Sequence, residues 1–269
     1  MRDAWQARSL HVSVPRDFVI GIPARRASTR LPDKPLRLLA GRPLIVHVIE
    51  RAQSAGARHV IVATDDAEIA DVARGTGAQA VMTDVLHRSG SDRLAEVARI
   101  LKWPNDAIVV NLQGDEPLAP AAGIHAVVDA LIASTAPMAT LASPIDDSAD
   151  LFAPSVVKVV RNLRGEALIF SRAPLPWPRD AWADGARGLP VSMTYLRHIG
   201  IYAYRAGFLQ TLAQLAPTPL EQAESLEQLR ALEHGYAIGV GIAPEAFPAG
   251  VDTPEDLARL ERLLRARDG

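Results

Sequence analysis

The chain has no cysteine, which excludes a disulfide framework, a thiolate nucleophile and a thiolate zinc site. It has no apolar run long enough to span a membrane, although 48% of its residues are hydrophobic. It has no excess of positive charge. A duplex binder is clearly basic, whereas the formal net charge here is −2, so nucleic acid is not an expected partner. Several site patterns are missing as well. No G-x-G-x-x-G follows a strand, which disfavours a dinucleotide-binding dehydrogenase, and no G-x-x-x-x-G-K-[ST] marks a P-loop. No G-x-S-x-G elbow supports an acyl hydrolase, and the seven histidines show no metal-type spacing. Residues 1–17 lack the continuous hydrophobic segment of a secretory signal. They read as a poorly ordered arm, and the expected location is the cytoplasm, with an organelle-targeting peptide as the alternative.

Positive charge is present, but it is local. The stretch Pro23-Ala24-Arg25-Arg26-Ala27-Ser28-Thr29-Arg30-Leu31-Pro32-Asp33-Lys34-Pro35-Leu36 holds three arginines, one of the chain's three lysines and a single carboxylate. It follows Phe18-Val19-Ile20-Gly21-Ile22, a short apolar run that reads as the first strand of an α/β domain. The loop after such a strand lies at the carboxyl edge of a parallel sheet, where these folds bind ligands. Prolines stiffen the loop and lower the entropic cost of holding its charges around an anion. A solvated basic loop is the ordinary alternative; the position after a buried strand favours a polyphosphate site.

Downstream, the pattern alternates. Leu44, Ile45, Val48, Ile49 and Ala52 mark one face of a helix ending near Gly56. Strands are predicted at His59–Ala63, Gln79–Met82, Ala107–Leu112 and Met138–Ala142, separated by helices opening near Asp66, Ser89 and Ala121. Strands alternating with helices mean a mostly parallel central sheet flanked by helices, with right-handed crossovers. Ser89-Gly90-Ser91 either caps its helix or offers hydroxyls and backbone groups to a base or ribose; the residues alone leave both open. The buried-type strand at 107–112 runs directly into Gln113-Gly114-Asp115-Glu116-Pro117.

Beyond Asp150 the pattern changes. A hairpin is expected over 155–170, followed by a proline-rich loop to Pro190 that cannot be a central strand. We therefore expect one domain over 18–269 with a β-rich insertion at about 151–197. His198 to Tyr204 reads as a strand with His198, Gly200, Tyr202 and Tyr204 on one face, facing either a ligand or the core. Thr218-Pro219-Leu220-Glu221 is a capping box opening one helix to Gly235, with Glu224, Glu227 and Gln228 on a solvated face. Asp252 sits just before a terminal helix begun by Thr253-Pro254. A basic loop with carboxylates at strand ends, Asp115 and Asp252, suits Mg²⁺-assisted transfer at a nucleotide phosphate.

With those motifs, Phe170-Ser171-Arg172-Ala173, Leu196-Arg197-His198-Ile199-Gly200-Ile201-Tyr202, Leu226-Glu227-Gln228-Leu229-Arg230 and Gly250-Val251-Asp252-Thr253-Pro254-Glu255-Asp256, the chain resembles the 3-deoxy-manno-octulosonate cytidylyltransferases, or CMP-Kdo synthetases, over Phe18 to Arg262. The resemblance implies a Rossmann-like nucleotidyltransferase fold, a homodimer in which the insertion takes part, and transfer of CMP from CTP to Kdo for lipopolysaccharide synthesis. It implies that Pro23, Ala24, Arg25, Lys34, Ser89, Gly90, Ser91 and Asp115 hold the nucleotide. Asp115 and Asp252 would carry Mg²⁺, and Arg25, Arg30, Lys34 and both aspartates would form the catalytic group. Arg30, Gln113, Arg172, His198, Tyr202, Glu227 and Gln228 would enclose the sugar acid. A sialic acid or 8-amino-Kdo as acceptor, or a silent nucleotide-binding regulator, are the alternatives. Ser91 stands where threonine is usual, and Arg26 where an aromatic or apolar residue is usual.

Overall fold

The computed structural model describes residues 17–27, 30–185, 188–190 and 193–265. The arm expected over 1–17 therefore lies, Asp17 apart, outside the described residues, as do Ser28 and Thr29 of the basic loop.

β1 (Phe18–Ala24) alternates its side chains between two cores: Phe18, Ile20 and Ile22 enter one, and Val19 enters the other. A single turn of 3₁₀ helix (Lys34–Leu36) and a small ribbon, β2 (Leu38–Leu39) with β3 (Arg42–Pro43), lead into α1 (Leu44–Ser54). The α/β alternation follows: β4 (His59–Thr64), α2 (Ala67–Gly75), β5 (Gln79–Met82), α3 (Gly90–Ile100), β6 (Ile108–Asn111), α4 (Ala121–Ile132) and β7 (Met138–Pro144). A short α5 (Ser148–Phe152) precedes the hairpin β8 (Lys158–Arg161) and β9 (Ala167–Ser171). The long strand β10 (Leu196–Arg205), α6 (Ala206–Gln214), α7 (Pro219–Glu224), α8 (Gln228–Glu233), β11 (Ile238–Ile242) and α9 (Pro254–Arg265) complete the order.

The main sheet runs β11-β7-β10-β6-β1-β4-β5. Its pairs are parallel except where β10 enters, antiparallel to both β6 and β7. The hairpin is not detached from the sheet, because Lys158 of β8 pairs with Arg197 of β10. Helices α1, α2 and α4 cover one face, and α3, α6 and α8 cover the other. Four strands of the alternating half, β1, β4, β5 and β6, thus present their carboxyl ends along one edge, where Arg25, Asp65 and Gln113 emerge.

One expected element divides. The helix predicted from Thr218 to Gly235 is two helices, broken where Ser225 adopts a left-handed φ of 53°. The capping box at Thr218 and Glu221 is present, but the break re-aims the residues after it. Gln228 is buried, and Glu224 accepts hydrogen bonds from the Ser171 hydroxyl and the Arg172 backbone N–H. Of the expected solvated face, only Glu227 stays exposed as a residue.

Candidate active site

The loop after β1 forms one wall of a cavity of about 360 Å³. Arg25, Arg30 and Lys34 line it from that loop, and Ser89, Gly90, Gln113, Gly114, Asp115, Glu227 and Asp252 face them. The approach is close enough to require glycine. A Cβ on Gly90 would lie 2.9 Å from Pro23 Cγ, and one on Gly114 would lie 2.9 Å from the Pro23 carbonyl oxygen. Thus the three strand-end loops meet over Pro23.

Lys34 sits at the start of its 3₁₀ turn, after Asp33 in a left-handed conformation. Its Nζ donates to Asp115 Oδ2 at 2.7 Å and to Asp252 Oδ1 at 2.9 Å. Burial works against the ammonium, yet the charges and hydrogen bonds of the two aspartates outweigh it and hold the Lys34 pKa above its ordinary value. Arg30 Nη2 lies 3.0 Å from the other oxygen of Asp252. The Val251 N–H donates to the Asp115 carbonyl at 2.9 Å and so fixes the two acidic turns to each other. Arg26 faces away from the cavity and reaches Asp66 at 2.9 Å and Glu68, which ties the basic loop to the start of α2. Beside this group, burial and then the charges of Asp115 and Asp252 push the Glu116 carboxyl up to about 8.

At the other end, the capping role left open for Ser89-Gly90-Ser91 is realised. Ser89 caps α3 by accepting from the Asp92 N–H at 3.1 Å, and both serines face a cavity. Ser89 and Ser91 share a hydrogen bond of 2.9 Å, and the Ser91 hydroxyl donates to Glu227 Oε2 at 3.2 Å. Arg93, buried behind them, donates to Asp65 at 2.9 Å and to the Thr83 hydroxyl, so it locks the ends of β4 and β5 together.

A second cavity of about 320 Å³ adjoins the first and shares Gly90, Gln113 and Glu227 with it. Tyr202, Gly200 and Gln228 line it, with Asn111, Met138 and Tyr204. Burial raises the Glu227 pKa. His198 lies one step behind: its ring packs against Phe170 and Tyr202, and its Nε2 is 3.0 Å from the Thr140 hydroxyl. That hydroxyl donates towards the carbonyls of Ile199 (2.9 Å) and Ile201 (2.8 Å) at a bulge in β10. The hydroxyl proton is thereby used, so His198 Nε2 carries a hydrogen and donates. Burial drives the His198 pKa down to about 3, and the ring is neutral in the working range.

Arg172 is not among the residues lining either cavity. Its guanidinium donates to the Glu224 carbonyl at 2.7 Å and the Pro154 carbonyl at 2.9 Å, so in this state it braces the segment before Glu227. Both bonds point the side chain at backbone and away from the two cavities, where a sugar-acid contact is expected. Sequence reasoning missed Arg88, Gly114 and Asn111 as lining residues, while Tyr204 lines the second cavity from the face left open between ligand and core. Arg88, Gly114 and Asn111 had a signal, since each lies at a strand end or in the loop after one.

The arrangement offers a cation-rich cavity suited to polyphosphate and a polar cavity beside it, with two carboxylates at the phosphate end. Among the described residues no group of three or more acidic, histidine or cysteine side chains forms a metal cage. A hard cation held by one or two carboxylates and completed by substrate phosphates and water needs none. The two aspartates already converge on one cationic group, the Lys34 ammonium, and their oxygen donors fit Mg²⁺ of that kind. No helix of the described residues is long and apolar enough to cross a membrane.

The cytidylyltransferase family model matches residues 19–238. A 3-deoxy-manno-octulosonate cytidylyltransferase of Stenotrophomonas maltophilia (strain K279a) is 60% identical over 250 residues, covering 93% of this chain and 97% of the relative. One of Xanthomonas oryzae pv. oryzae is 60% identical over 248 residues, covering 92% of this chain and 96% of the relative. The solved structure of CMP:2-keto-3-deoxy-manno-octonic acid synthetase complexed with CTP superposes with a TM-score of 0.83 at 43% identity, over 93% of this chain and 99% of that chain. At 14% identity and a TM-score of 0.59, 4-diphosphocytidyl-2C-methyl-D-erythritol synthase shares the fold, over 94% of this chain and 100% of that one. The chain belongs to the cytidylyltransferase family, with the 3-deoxy-manno-octulosonate cytidylyltransferases as its near relatives.

Proposed function

We propose that this protein transfers CMP from CTP to the anomeric hydroxyl of 3-deoxy-D-manno-octulosonate (Kdo), giving CMP-Kdo and pyrophosphate for lipopolysaccharide synthesis. The observation that carries the reading is the junction of the two cavities. One is lined by Arg25, Arg30 and Lys34 beside Asp115 and Asp252, the other by Tyr202 and Gln228, and Gln113 and Glu227 face both. A triphosphate in the first and a sugar acid in the second would meet at that shared wall.

The sugar hydroxyl gives up its proton to water, its oxygen forms a bond to the α-phosphorus, the bond from that phosphorus to the bridging oxygen breaks, and pyrophosphate leaves. Arg25 and Lys34 would neutralise charge that accumulates on the leaving group. Arg30, which lines the first cavity beside Asp252, would steer the anions into line. Glu227 and Gln228 would hold sugar hydroxyls, and Tyr202 would form the floor. Neutral His198 is a poor proton acceptor, and its part is to set Tyr202 in place. Asp115 and Asp252 would hold Mg²⁺, with Lys34 moving from them to the phosphates. When bound, the ion supplies charge neutralisation on the phosphates and acidifies the attacking hydroxyl. We place the enzyme in the cytoplasm as a homodimer. Arg172 would take the sugar carboxylate only by exchanging its bonds to the Pro154 and Glu224 carbonyls.

The test is pyrophosphate release from CTP with a panel of sugar acids (Kdo, 8-amino-Kdo and a sialic acid), with and without Mg²⁺. Release with Kdo and Mg²⁺ is expected. CTP binding without release for any acid overturns the reading.

A further inference from the structure

The nucleotide cavity depends on a segment with almost nothing to hold it. Residues 84–88 connect β5 to α3, and His87, Arg88 and Ser89 line the cavity at the end away from Lys34. The basic-loop cations Arg25, Arg30 and Lys34 line the other end, so on the reading above the phosphates lie there and the 87–90 end, with Ser89 and Gly90 beside Arg88, takes the base and ribose. Val85 and Leu86 are 72% and 80% exposed, so burial does not anchor the segment. Among the described residues, its hydrogen bonds to the rest of the protein converge on one atom. Glu96 Oε2, two turns along α3, accepts from the Asp84 N–H at 2.8 Å and from His87 Nε2 at 2.7 Å. Asp84 in turn accepts from the Leu86 N–H at 2.8 Å, which passes the constraint along the segment.

We propose that Glu96 is a positioning residue for the nucleotide: it touches no substrate, and it sets CTP affinity by tethering 84–88 so that His87 to Gly90 form a fixed wall. A wall held before binding costs the nucleotide no ordering entropy, and one released must be ordered by the ligand. The inference rests on the reading that this cavity takes CTP. Its geometry has a readout independent of substrate.

Two measurements test it, on the full-length protein. In Glu96→Ala, amide hydrogen exchange over 84–88 should accelerate with the rest of the sheet unchanged, and the KM for CTP should rise about tenfold. The kcat and the KM for Kdo should stay within about twofold of wild type. Glu96→Gln, whose amide oxygen accepts the same two bonds, should restore most of the affinity. Glu96→Asp, which keeps the charge but draws the oxygen back by one methylene, should resemble Glu96→Ala. Unchanged exchange over 84–88 overturns the tether. Faster exchange with an unmoved KM for CTP, or a loss shared equally by both substrates and kcat, overturns its role in nucleotide affinity. If wild type releases no pyrophosphate from CTP, the functional reading fails while the exchange result still decides the tether.

Discussion

Glu116 gives the sharpest quantitative test of the site's electrostatics. It follows Asp115 in the turn after β6, and desolvation and the two neighbouring aspartates push its carboxyl up to about 8 from 4.5, while Lys34 and Arg197 pull the other way. The folded protein therefore holds a proton on Glu116 that the unfolded chain releases. With more protons bound in the folded state, stability falls as pH rises. The loss begins near pH 4.5 and is complete above about pH 8. At about 1.36 kcal/mol for each pH step, that span corresponds to roughly 5 kcal/mol as a ceiling. Glu116 as a residue is only half-buried, so we expect about 2–3 kcal/mol.

Glu116→Gln replaces the protonated acid by a neutral amide of the same shape. Urea unfolding of both proteins should be compared at pH 5 and pH 9, with a chelator present because a divalent cation on Asp115 and Asp252 would draw Glu116 back towards ionisation. Near-equal midpoints are expected at pH 5. At pH 9 the variant should be the more stable by about 2–3 kcal/mol, or roughly 5–10 °C in melting temperature. A gap of the same size at both pH values, or a variant less stable at pH 9, would refute the argument that Glu116 is a carboxyl forced to keep its proton.

Asp115→Asn and Asp252→Asn should each lower kcat/KM about 100-fold or more with the circular dichroism spectrum unchanged, since each removes an oxygen ligand at the phosphate end; near-normal turnover at ordinary Mg²⁺ contradicts the metal assignment. Thr140→Val keeps the shape of a fully buried side chain but leaves the Ile199 and Ile201 carbonyls and His198 Nε2 without their shared hydroxyl. It should cost about 1–3 kcal/mol in denaturant unfolding and raise the KM for the sugar acid. Thr140→Ser should recover both. Lys34→Met should raise the KM for CTP more than tenfold, and unaltered nucleotide binding by calorimetry would remove Lys34 from the phosphate cradle.

The alternating half of the fold was legible because burial leaves its mark on every residue. The strands at Phe18, His59, Gln79 and Ile108 and the helices between them have the expected faces, and Asp66 and Ser89 cap where their types suggest. Direction was less legible. Hydrophobic period reports which residues share a face, and it held for β10, whose Ile199, Ile201 and Ala203 enter one core while Tyr204 enters the other. It carries nothing about whether a strand runs with or against its neighbours, so the antiparallel insertion of β10 between β6 and β7 had no signature. The helix break had none either. A left-handed residue is usually announced by glycine or asparagine, and here the position is Ser225.

The site divides along the same line. Chemical type and strand-end position marked out Arg25, Lys34, Asp115 and Asp252, and the fold brings Lys34 to carboxylates 81 and 218 residues away. No local pattern states such a pairing; it follows only when β1, β6 and the turn before α9 reach one edge. Residues that act through others are harder still. Glu96 in isolation is a charged residue on an amphipathic helix, and Thr140 is a small side chain inside a strand. Each matters because of an irregular backbone segment opposite it, a loop without burial in one case and a bulge in the other. Irregular backbone must find hydrogen-bond partners outside a helix or ladder, so a lone carboxylate or hydroxyl aimed at such a segment is where a positioning role should be sought first.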